Sequence, residues 1–303
     1  MPFQPLRHVT SHQHAEDISL LLQSLGMEVH IDEPTPQAGW LIWVESARYD
    51  EARRVLAEEE AAAQTPVAAV HTPGRSGDFA WVLGLVLINI AAWAIMEQHG
   101  GTHDRHTLLR FGAVYSPLLY AGEWWRLVTA QFIHIGVRHL FGNMAALLVL
   151  GGLTVRILGP GRLLFVYVVA GGCGNLAGFA FGSDTALKAG ASGAIFGLLG
   201  ALAGSRLRQL HRQSASARPA RFKPWHILAM VLALYGFIGG VQYPYTDHIA
   251  HFGGILGGML AAAIPTAAED AERRIQAGLG LLAASVCVAA WLWAVVTGLH
   301  ATY

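Results

Sequence analysis

The feature that most constrains this chain is a succession of apolar stretches, each near the length that crosses a bilayer. At about 1.5 Å rise per residue, a helix needs about 20 predominantly apolar residues to span the hydrocarbon core. Runs at 79–97, 139–158, 161–182, 190–206, 225–243, 247–264 and 277–298 approach or meet that length, which predicts seven spans. Inside lipid every backbone N–H and C=O must find a partner within the protein, so spanning segments are helices or closed barrels. Long unbroken apolar runs, rather than short alternating ones, select helices. The reading is therefore an all-α polytopic membrane protein. Composition agrees: 13% of the 303 residues are charged, against about 25% in a typical soluble domain. The 35 glycines fit too, since glycine is more frequent in membrane helices.

Residues 1–64 follow different rules. Phe3–Val9 reads as a strand, and His14–Gly26 has helical apolar spacing ending on glycine. Met27–Asp32 alternates like a strand, Trp40–Glu45 is a second run of strand length, and Ala47–Ala61 is a charged helix. That order predicts a small α+β domain. Residues 65–78, with their Pro, Gly and Ser, read as a linker. The remainder divides into a six-helix core at 79–264 and a loop with a seventh helix at 265–303. No apolar core follows a short basic stretch at the N-terminus, so no cleavable signal peptide is expected.

Orientation follows from Lys and Arg near the spans. The loop after the fourth span carries Arg206, Arg208, Arg212, Arg218, Arg221 and Lys223. The N-terminal domain lies on that same side, with Arg53, Arg54 and Arg75 ahead of the first span. The expected topology puts the N-terminus in the cytoplasm and the C-terminus in the periplasm of a cell inner membrane. The long segment 98–138 mixes Phe111, Tyr115, Tyr120, Trp124 and Trp125 with polar residues. It reads as structured and lying partly in the outer leaflet, where aromatic rings sit well.

Polar groups in hydrocarbon are costly and are candidates for function. Three groups stand out: His139 with Asn143, Ser192, and His251. Spans two, four and six all run from outside to inside, and each group lies near the start of its span. The three share one shallow depth, which suits a reaction that consumes water. A serine hydroxyl becomes a nucleophile when a base lies within hydrogen-bond reach, and a neutral histidine is such a base near pH 7. His139 and Asn143, four residues apart, share one helix face and offer donors to a developing oxyanion. The Ser192 amide at a helix start offers another. Gly193, Gly197 and Ala201, and Ala250, Gly254, Gly258 and Ala262, repeat at four-residue spacing. Small residues at that interval let membrane helices approach closely, which would bring Ser192 to His251.

Each feature alone has a plainer explanation. Serines in membrane helices usually bond to nearby backbone, an asparagine often bridges helices, and small-xxx-small patterns occur in membrane proteins of every function. Asp247, four residues before His251, reads as a helix cap rather than a third catalytic member. The two cysteines, Cys173 and Cys287, lie in apolar runs and read as packing residues.

Taken together the residues resemble a known family. GASGAIFG at 190–197 resembles the rhomboid active-site motif GxSG, AHFGGILGG at 250–258 its HxxGxxxG histidine helix, and HLFGN at 139–143 its HxxxN. Trp125-Arg126 matches the family's WR pair. The resemblance covers about residues 79–264. It implies an intramembrane serine protease with Ser192 as nucleophile and His251 as general base. It further implies that His139, Asn143 and the Ser192 amide line the oxyanion hole, and that Gly190, Phe196, Gly254, Gly258, Trp125 and Arg126 support the site. Phe196 stands where some members carry a tyrosine stacked under the histidine. The seventh span resembles the six-plus-one form, and span five with the loop after it (Tyr243–Asp247) corresponds to the region thought to gate lateral substrate entry. Implied substrates are transmembrane proteins cut in or near a membrane segment, in contact with membrane lipid and with no metal or cofactor.

Other classes fit less well. A formal net charge of zero offers no field for nucleic acid. A transporter would show internal repeats and mid-membrane charges, and the spans carry no Asp, Glu or Lys at their centres. A non-proteolytic relative that binds transmembrane segments typically lacks the serine or the histidine, and this chain keeps both. Oligomeric state is not written in the sequence.

Overall fold

The structure, a computed structural model, describes residues 2–35, 39–64, 77–212, 247–264 and 269–298. The chain forms two compact units, one built on the N-terminal strands and helices and one on the apolar helices.

In the N-terminal unit, β1 (Phe3–Val9), α1 (His12–Ser24), β2 (Val29–Thr35), β3 (Gly39–Glu45) and α2 (Tyr49–Gln64) follow the expected order. The sheet is antiparallel with order β1-β3-β2. The α1 helix starts two residues earlier than its apolar pattern because Ser11 caps it, its hydroxyl accepting from the His14 N–H at 3.3 Å. Alternation along β3 turns Ile42 and Val44 inward onto Ile18, Leu22, Met27 and Leu56, all buried.

The second unit contains nine described helices: α3 (Phe79–Gln98), α4 (Arg105–Phe111), α5 (Ser116–Tyr120), α6 (Arg126–Thr129), α7 (Gly136–Leu158), α8 (Pro160–Phe181), α9 (Ser192–Arg212), α10 (His248–Ala261) and α11 (Glu269–Gly298). Among the described residues, α3, α7, α8 and α11 are long and apolar enough to cross a membrane, and α10 is a shorter apolar helix. The chain is a multi-pass membrane protein. The expected span 225–243 and the gate residues 243–246 lie outside the described residues.

Two helices run past their expected limits, for physical reasons. The apolar run that predicts a span at 190–206 stops at the arginines, but α9 continues to Arg212, since Arg, Leu and Gln are good helix formers once outside the apolar layer. The helix at the last expected span, α11, begins at Glu269 rather than 277. Its first turns are polar because they face a polar partner: the Arg162 guanidinium makes two hydrogen bonds to Glu272, at 2.9 and 3.0 Å, and a third to the Ile264 carbonyl. Gln276 donates to the Leu158 carbonyl at 2.6 Å and accepts from the Arg162 N–H at 3.0 Å. The clasp docks α11 against the α7–α8 corner. The segment between α3 and α7 is structured as expected. The Arg126 guanidinium, fully buried, donates to Glu123 and to the Leu109 and Ala113 carbonyls, and Trp125 packs on Ala290 and Ala294 of α11.

Candidate active site

Ser192 is the first residue of α9, and the loop before it is held from two directions. The Gly190 N–H donates to the Ala130 carbonyl at 2.9 Å, and the Ala191 N–H donates to His134 Nε2 at 3.3 Å. A ring nitrogen that accepts an N–H carries no proton, so His134 is neutral. Gly190 has φ +135, a conformation other residues rarely adopt, and a Cβ there would lie 2.6 Å from His139 Nε2. The chain turns here with glycine because the histidine ring occupies the space of a side chain.

His251 reaches the serine from α10. Its Nε2 lies 2.9 Å from Ser192 Oγ, and its ring stacks on Phe196, with centroids 4.2 Å apart and planes at 26°. His251 is 1% exposed and Phe196 fully buried. Phe196 lies four residues, about one turn, after Ser192, which puts ring and hydroxyl on the same face of α9. The stack expected from the sequence therefore forms without a tyrosine hydroxyl.

The approach of the two helices depends on glycine. A Cβ on Gly254 would strike the Gly193 carbonyl, one on Gly258 the Gly197 carbonyl, and one on Gly197 would lie 3.1 Å from the Gly254 carbonyl. The α8 helix seals the same cluster through Gly174, where a Cβ would lie 2.6 Å from the Ala250 carbonyl. The four-residue glycine spacing seen in the sequence is thus a three-helix seam with backbone against backbone.

His139 and Asn143 lie in the first turns of α7, beside Gly190. The Asn143 Nδ2 donates to the His139 carbonyl at 2.9 Å, and its Oδ1 meets no donor among the described residues. His139 Nδ1 accepts from the Ile135 N–H at 3.3 Å, leaving Nε2 on the Gly190 side. The N–H groups that open α9, starting with Ser192, are those a helix leaves without an internal acceptor. Trp125 and Arg126 order the segment before α7 rather than meeting the Ser192–His251 pair. Asp247 caps α10, its Oδ1 accepting from the Ala250 N–H at 2.9 Å. His134 was not singled out by the sequence reading. It lies just ahead of the apolar run of span two, and only the fold brings it to Ala191.

The site differs in character from a cavity of about 590 Å³ between α3, α8 and α11, which is lined by apolar side chains such as Trp81, Ile88, Val168 and Trp291. No serine or histidine lines that cavity, and apart from the Cys287 thiol its lining suits hydrocarbon. Among the described residues no group of His, Cys, Asp and Glu forms a metal site.

Fold and site together define a helical membrane protein with a serine–histidine pair at the start of two glycine-packed helices. Residues 121–267 match the family model described as the Rhomboid domain, so this part of the chain is a rhomboid domain. Its relatives include Rhomboid protease GluP of Bacillus subtilis, 36% identical over 199 residues, which cover 64% of this chain and 37% of that protein. RHOMBOID-like protein 7 of Arabidopsis thaliana is 32% identical over 156 residues (51% of this chain, 47% of that protein). Rhomboid-like protease 1 of Toxoplasma gondii is 34% identical over 157 residues (50% of each). The chain thus spans half or less of the length of these relatives.

Proposed function

We propose that this chain is an intramembrane serine endopeptidase that hydrolyses peptide bonds in or near transmembrane segments of membrane proteins. The observation that carries the reading is the 2.9 Å contact between Ser192 Oγ and His251 Nε2. In the reaction, Ser192 Oγ attacks the peptide carbonyl carbon while its proton passes to His251 Nε2. The tetrahedral oxyanion collapses, the C–N bond breaks, and His251 returns the proton to the leaving amine. Water then attacks the acyl-enzyme ester, again losing its proton to His251, and Ser192 is regenerated. The proposed oxyanion donors are His139 Nε2, Asn143 Nδ2 and the Ser192 N–H. Asn143 Nδ2 carries two N–H groups, so one is left for substrate while the other donates to the His139 carbonyl. Phe196, Gly190, Gly254 and Gly258 keep the pair in register, and Trp125 and Arg126 order the neighbouring segment.

The proposed setting is the cell inner membrane, with the N-terminus cytoplasmic and the C-terminus periplasmic, which the Arg-rich loop at 205–224 supports. Residues 1–64 then form a cytoplasmic domain, 65–78 a linker, 79–264 the protease core, and 265–303 a loop and seventh helix. The partners are transmembrane substrates and membrane lipid.

The test compares the purified wild type with Ser192→Ala on a single-span substrate bearing Ala or Gly near its outer membrane boundary. Cleavage by the wild type alone is expected. Equal cleavage by both would remove Ser192 from the mechanism. Silence from both folded proteins, across several substrates, would favour a non-proteolytic binder of transmembrane segments.

A further inference from the structure

One charged pair lies beside the site and takes no part in the chemistry described above. Lys188, four residues before Ser192, is almost fully buried, with 9% of its side chain exposed. Its backbone is fixed by a two-way pairing with Val114: the Val114 N–H donates to the Lys188 carbonyl at 2.8 Å, and the Lys188 N–H to the Val114 carbonyl at 2.9 Å. Its ammonium donates to the Gly178 carbonyl at the end of α8 and lies 3.7 Å from Asp247 Oδ2. Asp247 in turn holds the first turn of α10, through Oδ1 to the Ala250 N–H and through its carbonyl to the His251 N–H at 3.1 Å.

The last turn of α8 makes room for the pair. A Cβ on Gly178 would lie 2.8 Å from Asp247 Oδ2 and 3.4 Å from Lys188 Nζ, and one on Gly182 2.5 Å from Lys188 Nζ. Lys188 therefore joins four elements: the segment before α7, the end of α8, the loop entering Ser192 and the cap of the histidine helix.

We propose that Lys188 and Asp247 are positioning residues that fix the register of His251 against Ser192 by tying the two helix starts together. The inference rests on the protease reading. Either substitution alone breaks the tie, and the second then has nothing left to break, so the pair predicts a specific non-additivity. Asparagine at 247 keeps the cap acceptor, which confines the effect to the charge.

The experiment is a double-mutant cycle on the full chain in detergent, with Lys188→Met, Asp247→Asn, the double variant and Lys188→Arg. Three readouts are taken well below each variant's melting temperature: kcat and KM on the single-span substrate, the rate of Ser192 labelling by a fluorophosphonate, and thermal unfolding. Lys188→Met is expected to lower kcat and labelling about tenfold to a hundredfold, the scale of misplaced reacting groups, with KM within about twofold. The double variant, which lacks the tie as well, is expected to lose about as much as Lys188→Met alone, and Lys188→Arg to retain activity. Additive effects, or lowered melting with kcat and labelling unchanged, would overturn the positioning role while leaving the protease reading intact. A wild type that neither cleaves nor labels would overturn both.

Discussion

The N-terminal unit and the α8–α9–α10 seam solve the same packing problem with opposite materials. In the first, the centre is filled by Ile18, Leu22, Ile42 and Val44; in the second, the closest approaches are made where side chains are missing, at Gly174, Gly197, Gly254 and Gly258. Water explains the difference. A domain bathed in water is stabilised by about 25 cal/mol for each Å² of apolar area it hides, so it rewards bulk. Between helices in lipid that gain is absent, and close van der Waals contact favours small residues. The two regions therefore have opposite sensitivities: one to atoms removed, the other to atoms added.

The sharpest way to break this contrast is to add one methyl at the seam. Gly258→Ala sets a Cβ against the Gly197 carbonyl, and backbone cannot rotate away as a side chain can. The stability loss is expected to exceed the roughly 1–3 kcal/mol of ordinary overpacking. Cleavage should fall about a hundredfold as Ser192 and His251 separate, measured by thermal unfolding and kcat. A variant that cleaves normally would show that the seam does not govern the pair.

Removing atoms should matter in the other unit. Leu22→Ala, at a fully buried position, is expected to cost that unit about 2–5 kcal/mol, read by hydrogen exchange across residues 2–64, while kcat stays within about twofold of wild type. A matching loss of cleavage would mean the two units are energetically coupled. The smallest effect belongs to Gly84→Ala on α3, where an added Cβ meets nothing within 4 Å. Activity should be unchanged and helix stability raised by at most about 1 kcal/mol. A clear loss there would mean that glycine count, rather than glycine position, is what matters.

Much of this was legible in the chain because it is periodic or local. The strands and helices of residues 2–64 follow from alternation and from helical apolar spacing. The meeting of Ser192 with His251 follows from three parallel spans and a glycine repeat, and the stack of Phe196 under His251 from a four-residue offset. What stayed hidden is contact between single residues with no pattern. His134 on the Ala191 N–H, Lys188 on Asp247 and Trp125 on Ala290 each join parts of the chain far apart in sequence. No spacing rule announces a lone histidine in a loop or a lone lysine before a motif. The start of α11 was misplaced for the same reason, since the polar residues that seemed to end the span are the ones that fasten it.

The fastening of α11 sets an order of assembly. Arg162 and Glu272 are 110 residues apart, and ribosomes add about 5–20 residues per second. The second half of the clasp therefore leaves the ribosome roughly 5–20 s after the first. The α7–α8 corner therefore waits for its partner, and α11 is fastened to it only after residue 272 has been made.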